Sequence, residues 1–226
     1  MKIEMHAHTS EISPCGYVTA EDMISAYAGI GYGAVTVTDH FNDYVVENYP
    51  GTGREKVDRY LRGYDIACEA GEKFGVKVLL GAEVCLAGGL EDYLVYGITR
   101  DFLYDNPRMF TYTQRRLYAV ADAAGALVFQ AHPCRSYCRP GNPRFLHGVE
   151  VFNGNSKSHK NNNTQALSWA VSYPHLLHCS GSDFHDMPNL GRGGIVVPDE
   201  FEFSSTTELC GYIKNNRVGL VTSPED

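Results

Sequence analysis

No apolar run in this chain approaches membrane-spanning length, and the opening Met-Lys-Ile-Glu-Met-His is too polar and too short for the core of a secretion signal. Internal repeats, low-complexity tracts and a clear interdomain linker are likewise missing from the 226 residues. One domain over 1–226 is therefore expected, since single α/β barrels often exceed about 200 residues. Cysteines are few and unpatterned: seven of them, at 15, 68, 85, 134, 138, 179 and 210, show no CxxC spacing. An odd count without such pairs predicts reduced thiols and, with no signal segment, a cytoplasmic location. Basic charge is also short, with 19 Lys and Arg against 27 Asp and Glu and a formal net charge of -8. That balance argues against a nucleic-acid partner gripped by its phosphates. Neither a G-x-S-x-G elbow nor a Gly-rich phosphate loop occurs. At 43% hydrophobic and 20% charged residues, the composition is that of an ordinary globular chain with a proper core.

What is present is an alternation of short apolar runs with amphipathic stretches, the pattern of α/β architecture. Strands are expected at Lys2–Ala7, Ala34–Thr38, Lys77–Ala82, Tyr93–Ile98, Ala126–Ala131, Gly148–Phe152, Leu176–Ser180 and Ile195–Val197. Thr19 with Asp22 reads as the N-cap of a helix through Ile30. A second helix is expected from Arg54 to Phe74, with Val57, Tyr60, Leu61, Tyr64, Ala67, Cys68 and Gly71 on one face and Gly75 as C-cap. Thr113–Ala124, Thr164–Val171 and Thr206–Asn215 complete the helices, and Phe41–Gly53 and Cys134–His147 read as long loops.

The ionisable residues keep falling at strand ends. His6 and His8 close the first strand, Asp39-His40 follow the second and Glu83 the third. His132 follows the fifth, Glu150 and Asn153 belong to the sixth, and Asp183 and His185 follow the seventh. In parallel α/β folds the strand C-termini share one rim, where active sites form. His6 and His8, two apart, point to one face of a strand, so two neutral nitrogens can reach one cation. Asp183-Phe184-His185 repeats that geometry, and Gly181 before it permits close backbone approach. Glu83 ends an apolar run, where a carboxylate is costly to bury unless paired or on a metal. Each has a bland alternative: a polar rim, a helix cap, a strand-end salt bridge. His147, His159, His175 and His178 fit no such pattern and read as structural or surface residues.

In order, His-Ala-His at 6–8, Thr-Asp-His at 38–40, Gly-Ala-Glu at 81–83, Ala-His-Pro at 131–133, Glu-Val-Phe-Asn at 150–153 and Gly-Ser-Asp-Phe-His at 181–185 span nearly the whole chain. Together with Leu190-Gly191, this set resembles the PHP superfamily, named for polymerase and histidinol phosphatase. The resemblance implies a distorted (β/α)7 barrel with two or three divalent metals, Mn, Fe or Zn, on its C-terminal rim. By motif position His6, His8, Glu83 and Asp183 would hold the first metal, Glu83 and His132 the second, and His40 and His185 the third. Two departures stand out. Cys15-Gly16 occupies a place where a family histidine commonly completes the third site, so Cys15 or the harder Glu11 would serve there. Some members carry an extra histidine after the fourth strand, where this chain reads Gly97-Ile98-Thr99.

The implied reaction is hydrolysis of a small phosphomonoester or nucleotide by a metal-activated hydroxide, with Asp183 and His185 catalytic, His185 alternatively as general acid. Arg135 and Arg192 would recognise phosphate, and Asn153 would orient the substrate. The rivals are a metal-dependent exonuclease and a noncatalytic metal-binding regulatory module. Specificity would lie in the loops Phe41–Gly53, Cys134–His147 and Asn153–Asn163, where Tyr44, Tyr49 and Tyr137 offer rings for stacking.

Overall fold

The computed structural model describes residues 1–155 and 160–223. His159 and the middle of the expected Asn153–Asn163 loop lie outside the described residues. Strands β1 (Lys2–Ala7), β2 (Tyr32–Val37) and β4 (Lys77–Cys85) run parallel, with the two-residue β3 (His40–Phe41) pairing onto the end of β4. Next come β5 (Asp92–Tyr96), β6 (Leu127–Gln130), β7 (Gly148–Asn153) and β8 (Leu177–Gly181). β5 is antiparallel to both neighbours, while β6, β7 and β8 are parallel again. A parallel β4–β5 pair would need a crossover of a dozen or so residues, and the short link after Cys85 allows only a hairpin-like return.

The open edge at β8 comes back to β1. Ala7 and Phe184 form a parallel bridge, with His8 N donating to Phe184 O and Phe184 N to His6 O, each at 3.0 Å. The ring is thus β1-β2-β4-β5-β6-β7-β8, the distorted barrel expected from the motifs. β9 (Gly193–Val196) and β10 (Gly219–Thr222) extend the sheet antiparallel from β1. A core of Ile3, Met5, Leu79, Leu94, Tyr96, Leu127, Phe129 and Cys179 joins the strands to one another.

Helices cover the outside. α1 (Ala20–Gly29) is capped by Thr19, whose hydroxyl accepts from Asp22 N, and it packs Met23, Ile24 and Tyr27 against Val35 and Val37. α2 (Asp43–Val46) and β3 occupy what reads in sequence as a loop. The expected Arg54–Phe74 helix is in fact two, α3 (Gly53–Tyr60) and α4 (Arg62–Phe74), meeting at Leu61. All along that stretch the apolar stripe continues, so periodicity alone does not reveal the joint. Gly75 does end α4 in the left-handed region, with φ 72°. α5 (Arg100–Asp105), α6 (Gln114–Ala123), α7 (Asn163–Val171) and α8 (Thr206–Asn215) complete the described α-helices, the last at its expected bounds. No described helix is long and apolar enough to cross a membrane.

Candidate metal centre

Six of the expected ligands converge at the strand ends: His6, His8, His40, Glu83, His132 and Asp183, with His185 beside them. Glu83 sits at the middle. Its Oε1 lies 3.2 Å from His6 Nε2 and 3.0 Å from His132 Nε2, while Oε2 lies 3.3 Å from His8 Nε2 and 2.9 Å from His40 Nδ1. Asp183 Oδ1 stands 3.4 Å from both His6 Nε2 and His8 Nε2. Burial disfavours charge on Glu83, yet His6 and His40 hold its carboxyl well below the usual range. The same contest, won by His6, His185 and Arg135, keeps Asp183 well below as well.

The imidazoles are aimed from behind. His6 Nδ1 meets Glu150 Oε1 at 2.8 Å, and His185 Nδ1 meets the carbonyl oxygen of Asp183 at 2.8 Å. His8 Nδ1 meets Ser13 Oγ at 3.1 Å, and the Ser13 hydroxyl donates in turn to Asp39 Oδ1 at 2.6 Å. Each outer acceptor fixes the tautomer with hydrogen on Nδ1, which leaves a lone pair on Nε2 facing inward. A Ser13→Ala variant should therefore keep its fold and lose about 10–100-fold in metal affinity, read by isothermal titration; unchanged affinity would remove Ser13 from this role.

Among the described residues, five buried side-chain nitrogen or oxygen atoms lack a hydrogen-bond partner, and all five belong here: His6 Nε2, His8 Nε2, His40 Nδ1, Glu83 Oε2 and His132 Nδ1. His40 Nδ1 and Glu83 Oε2 are close, but without hydrogen-bond alignment. Leaving such atoms unsatisfied costs about 1–3 kcal/mol each. A cation among His6 Nε2, His8 Nε2, His40 Nδ1 and Glu83 Oε2 removes that cost for those four, so the donor set fits divalent metal.

Arg135, buried, gives Nη2 to Asp183 Oδ2 at 2.6 Å and Nε to Asn161 Oδ1 at 2.8 Å. It thereby turns only Oδ1 of Asp183 toward the histidines. Asn153 Nδ2 donates to Glu150 Oε2, which also accepts from His132 N. Asn153 thus supports the carboxylate that holds His6. Arg192 Nε donates to Ser223 Oγ at 3.4 Å, a contact leading toward β10. Glu11 is not brought to the cluster: both its oxygens accept from Ala20 N at the start of α1. Its carboxylate suits that helix end, where backbone N–H groups are unpaired. Cys15 does arrive, with Sγ 3.1 Å from His185 Nε2. Burial raises its pKa, but hydrogen bonds from His185 and His40 outweigh this and bring it to about 6.

Two residues escape a reading by strand ends. Asp92 groups with His40 and Glu83, and its Oδ2 lies 3.9 Å from His132 Nε2. It begins β5 rather than ending it. Because that strand runs backwards, its first residue, and not its Gly97 end, reaches the rim. Glu4 is fully buried and accepts from His6 N, Ser182 N, Ser182 Oγ and Tyr27 Oη. It ties β1 to the turn carrying Asp183. Asp183 and His132 have positive φ, 50° and 28°, conformations that persist only when their surroundings enforce them.

Gly181 lies where β8 meets β1. A Cβ there would stand 2.4 Å from His6 Cβ and 2.7 Å from Glu150 Oε1. Gly181→Ala should lower stability by about 1–3 kcal/mol in thermal unfolding; an unchanged melting temperature would contradict the close approach. Of the remaining histidines, His147 bonds Asp122 and Val128, and His175 bonds Pro143, away from the cluster. Tyr44 is exposed, Tyr49 lies under Arg59, and Tyr137 Oη accepts from Arg135.

Over 85 residues the chain is 34% identical to the PolC-type DNA polymerase III of Streptococcus mutans, spanning 38% of this chain and 5% of the polymerase. A two-domain protein from Bacteroides vulgatus, containing a predicted PHP-like metal-dependent phosphoesterase, shares the fold with TM-score 0.57 and 19% identity over 82% of this chain and 52% of its own. A lesion-specific endonuclease from Pyrococcus furiosus does so with TM-score 0.60 and 13% identity, over 97% of this chain and 57% of its own. The chain thus spans a small part of the polymerase and about half of either structure. The PHP domain family profile matches residues 4–171, which is most of the 226, and the chain belongs to that family.

Proposed function

We propose that this chain is a metal-dependent phosphoesterase acting on a small phosphomonoester or nucleotide. The observation that carries the reading is the convergence of four unpartnered buried atoms, His6 Nε2, His8 Nε2, His40 Nδ1 and Glu83 Oε2, on one cluster. His6, His8, Glu83 and Asp183 would hold one cation, Glu83 and His132 a second, with Glu83 between them. Divalent cations held there supply Lewis acidity toward a phosphoryl oxygen and activate water near neutral pH. The chain's own residues do the rest. Arg135 binds a phosphoryl oxygen through the N–H groups of its guanidinium fork not engaged by Asp183, Asn161 and Tyr137. Glu150, Ser13 and the Asp183 carbonyl orient the rings of His6, His8 and His185. With Nδ1 held by that carbonyl, His185 offers Nε2 to the reaction, as a ligand or alternatively as the acid for the leaving group.

A nucleic-acid phosphodiester is the second reading, favoured by the identity to the polymerase segment and opposed by the net charge of -8. The test is hydrolysis by protein reconstituted with manganese, iron or zinc, against phosphomonoesters, nucleotides and single-stranded DNA. Turnover of small esters lost on chelation supports the proposal. Degradation of DNA alone favours the second reading, and bound metal with no hydrolysis of any ester favours a regulatory module.

A further inference from the structure

The two ends of the cluster offer unlike donors. At one end His8, His40 and His185 present ligand atoms within 4.8 Å of one another, and Cys15 adds a sulfur 3.1 Å from His185 Nε2. The oxygen-bearing rival Glu11 is occupied at α1. At the other end oxygen dominates. Asp92 and Glu83 group with His40, and His132 Nε2 faces both carboxylates, at 3.0 Å from Glu83 Oε1 and 3.9 Å from Asp92 Oδ2. Two buried, unpartnered atoms, His8 Nε2 and Glu83 Oε2, lie 3.3 Å apart between the two ends. His40 stands between, with Nδ1 2.9 Å from Glu83 Oε2.

Resting on the metal-dependent reading above, we propose that the cluster sorts its cations: the His40–His185–Cys15 end takes zinc, and the Glu83–Asp92–His132 end takes manganese or magnesium. Thiolate and imidazole suit zinc, whereas carboxylate and water suit the harder ions. Zinc outranks manganese in raw affinity at most donor sets, so sorting shows as selective retention. One zinc resists dialysis, while the second position exchanges with excess manganese.

Cobalt(II) reads the sulfur end through thiolate-to-cobalt charge-transfer absorption, and manganese(II) paramagnetic resonance reads the oxygen end. In the metal-free full chain, the first equivalent of cobalt should develop the thiolate band. Prior addition of one equivalent of zinc should suppress that band while manganese still binds. Cys15→Ser should abolish the band, and Cys15→Asp should abolish it while retaining an ion, which separates lost sulfur from lost fold. Asp92→Asn should weaken manganese binding by about tenfold or more and leave the band intact. Cobalt binding without the band, or Cys15→Ser and Asp92→Asn each weakening both signals alike, would overturn the sorting. A wild-type chain that hydrolyses esters with unsorted metals fails this inference alone. One that binds no cation fails the phosphoesterase reading with it.

Discussion

In a Glu83→Gln variant both principal cation positions lose affinity together, and phosphoester turnover falls by about a thousandfold or more, roughly 4 kcal/mol of transition-state stabilisation. The reason is the central place of this carboxylate. Each of its oxygens faces two imidazole nitrogens, His6 and His132 on one side, His8 and His40 on the other. An amide keeps the shape but converts one of those faces into an N–H donor, which cannot ligate metal. The fold should survive, because the new donor can meet an imidazole lone pair across the cluster. Metal content by mass spectrometry after gel filtration, with circular dichroism as the control for folding, reads both halves. Retention of two ions by the variant would contradict the bridging role.

Asp183→Ala should do more, removing turnover and also destabilising the metal-free chain. Asp183 divides its oxygens between two tasks, Oδ2 to Arg135 and Oδ1 toward His6 and His8. Truncation leaves a buried guanidinium without its anion, a change that costs about 3–5 kcal/mol. At about 2–4 °C per kcal/mol for a chain of this size, the melting temperature falls by roughly 6–20 °C. Asp183→Asn keeps an oxygen for Arg135 and should lose turnover with a much smaller drop. Adding Arg135→Met to Asp183→Ala should restore much of the stability but none of the activity, since it removes the stranded charge and not the missing ligand. A melting temperature unchanged in Asp183→Ala would show that the ion pair does not support the fold.

The strand-end rule carried most of the cluster in advance because the parallel strands deliver their C-termini to one rim. It marks His6, His8, His40, Glu83, His132 and Asp183 as a group, and the PHP resemblance is what implies them as ligands. It failed at β5, whose reversed direction puts Asp92, its first residue, on that rim. Strand direction is a property of the connection and the sheet, not of the strand's own residues, so Asp92 looked like a turn residue. Glu4 was hidden for a related reason: its partners Ser182 and Tyr27 lie far along the chain. Between Cys15 and Glu11 the sequence offered no choice. The capping of α1 separates them, and only packing shows which side chain turns inward. The break between α3 and α4 was equally silent, since the apolar face continues across it.

The most direct test of the central claim, that this cluster is a catalytic metal centre, is to measure ions bound per chain by native mass spectrometry alongside turnover of a small phosphomonoester through a chelator titration. The structure-based expectation is at least two divalent ions per chain and activity that falls as the ions leave. Full turnover in metal-free protein, or no bound ion at any metal concentration tried, would contradict it.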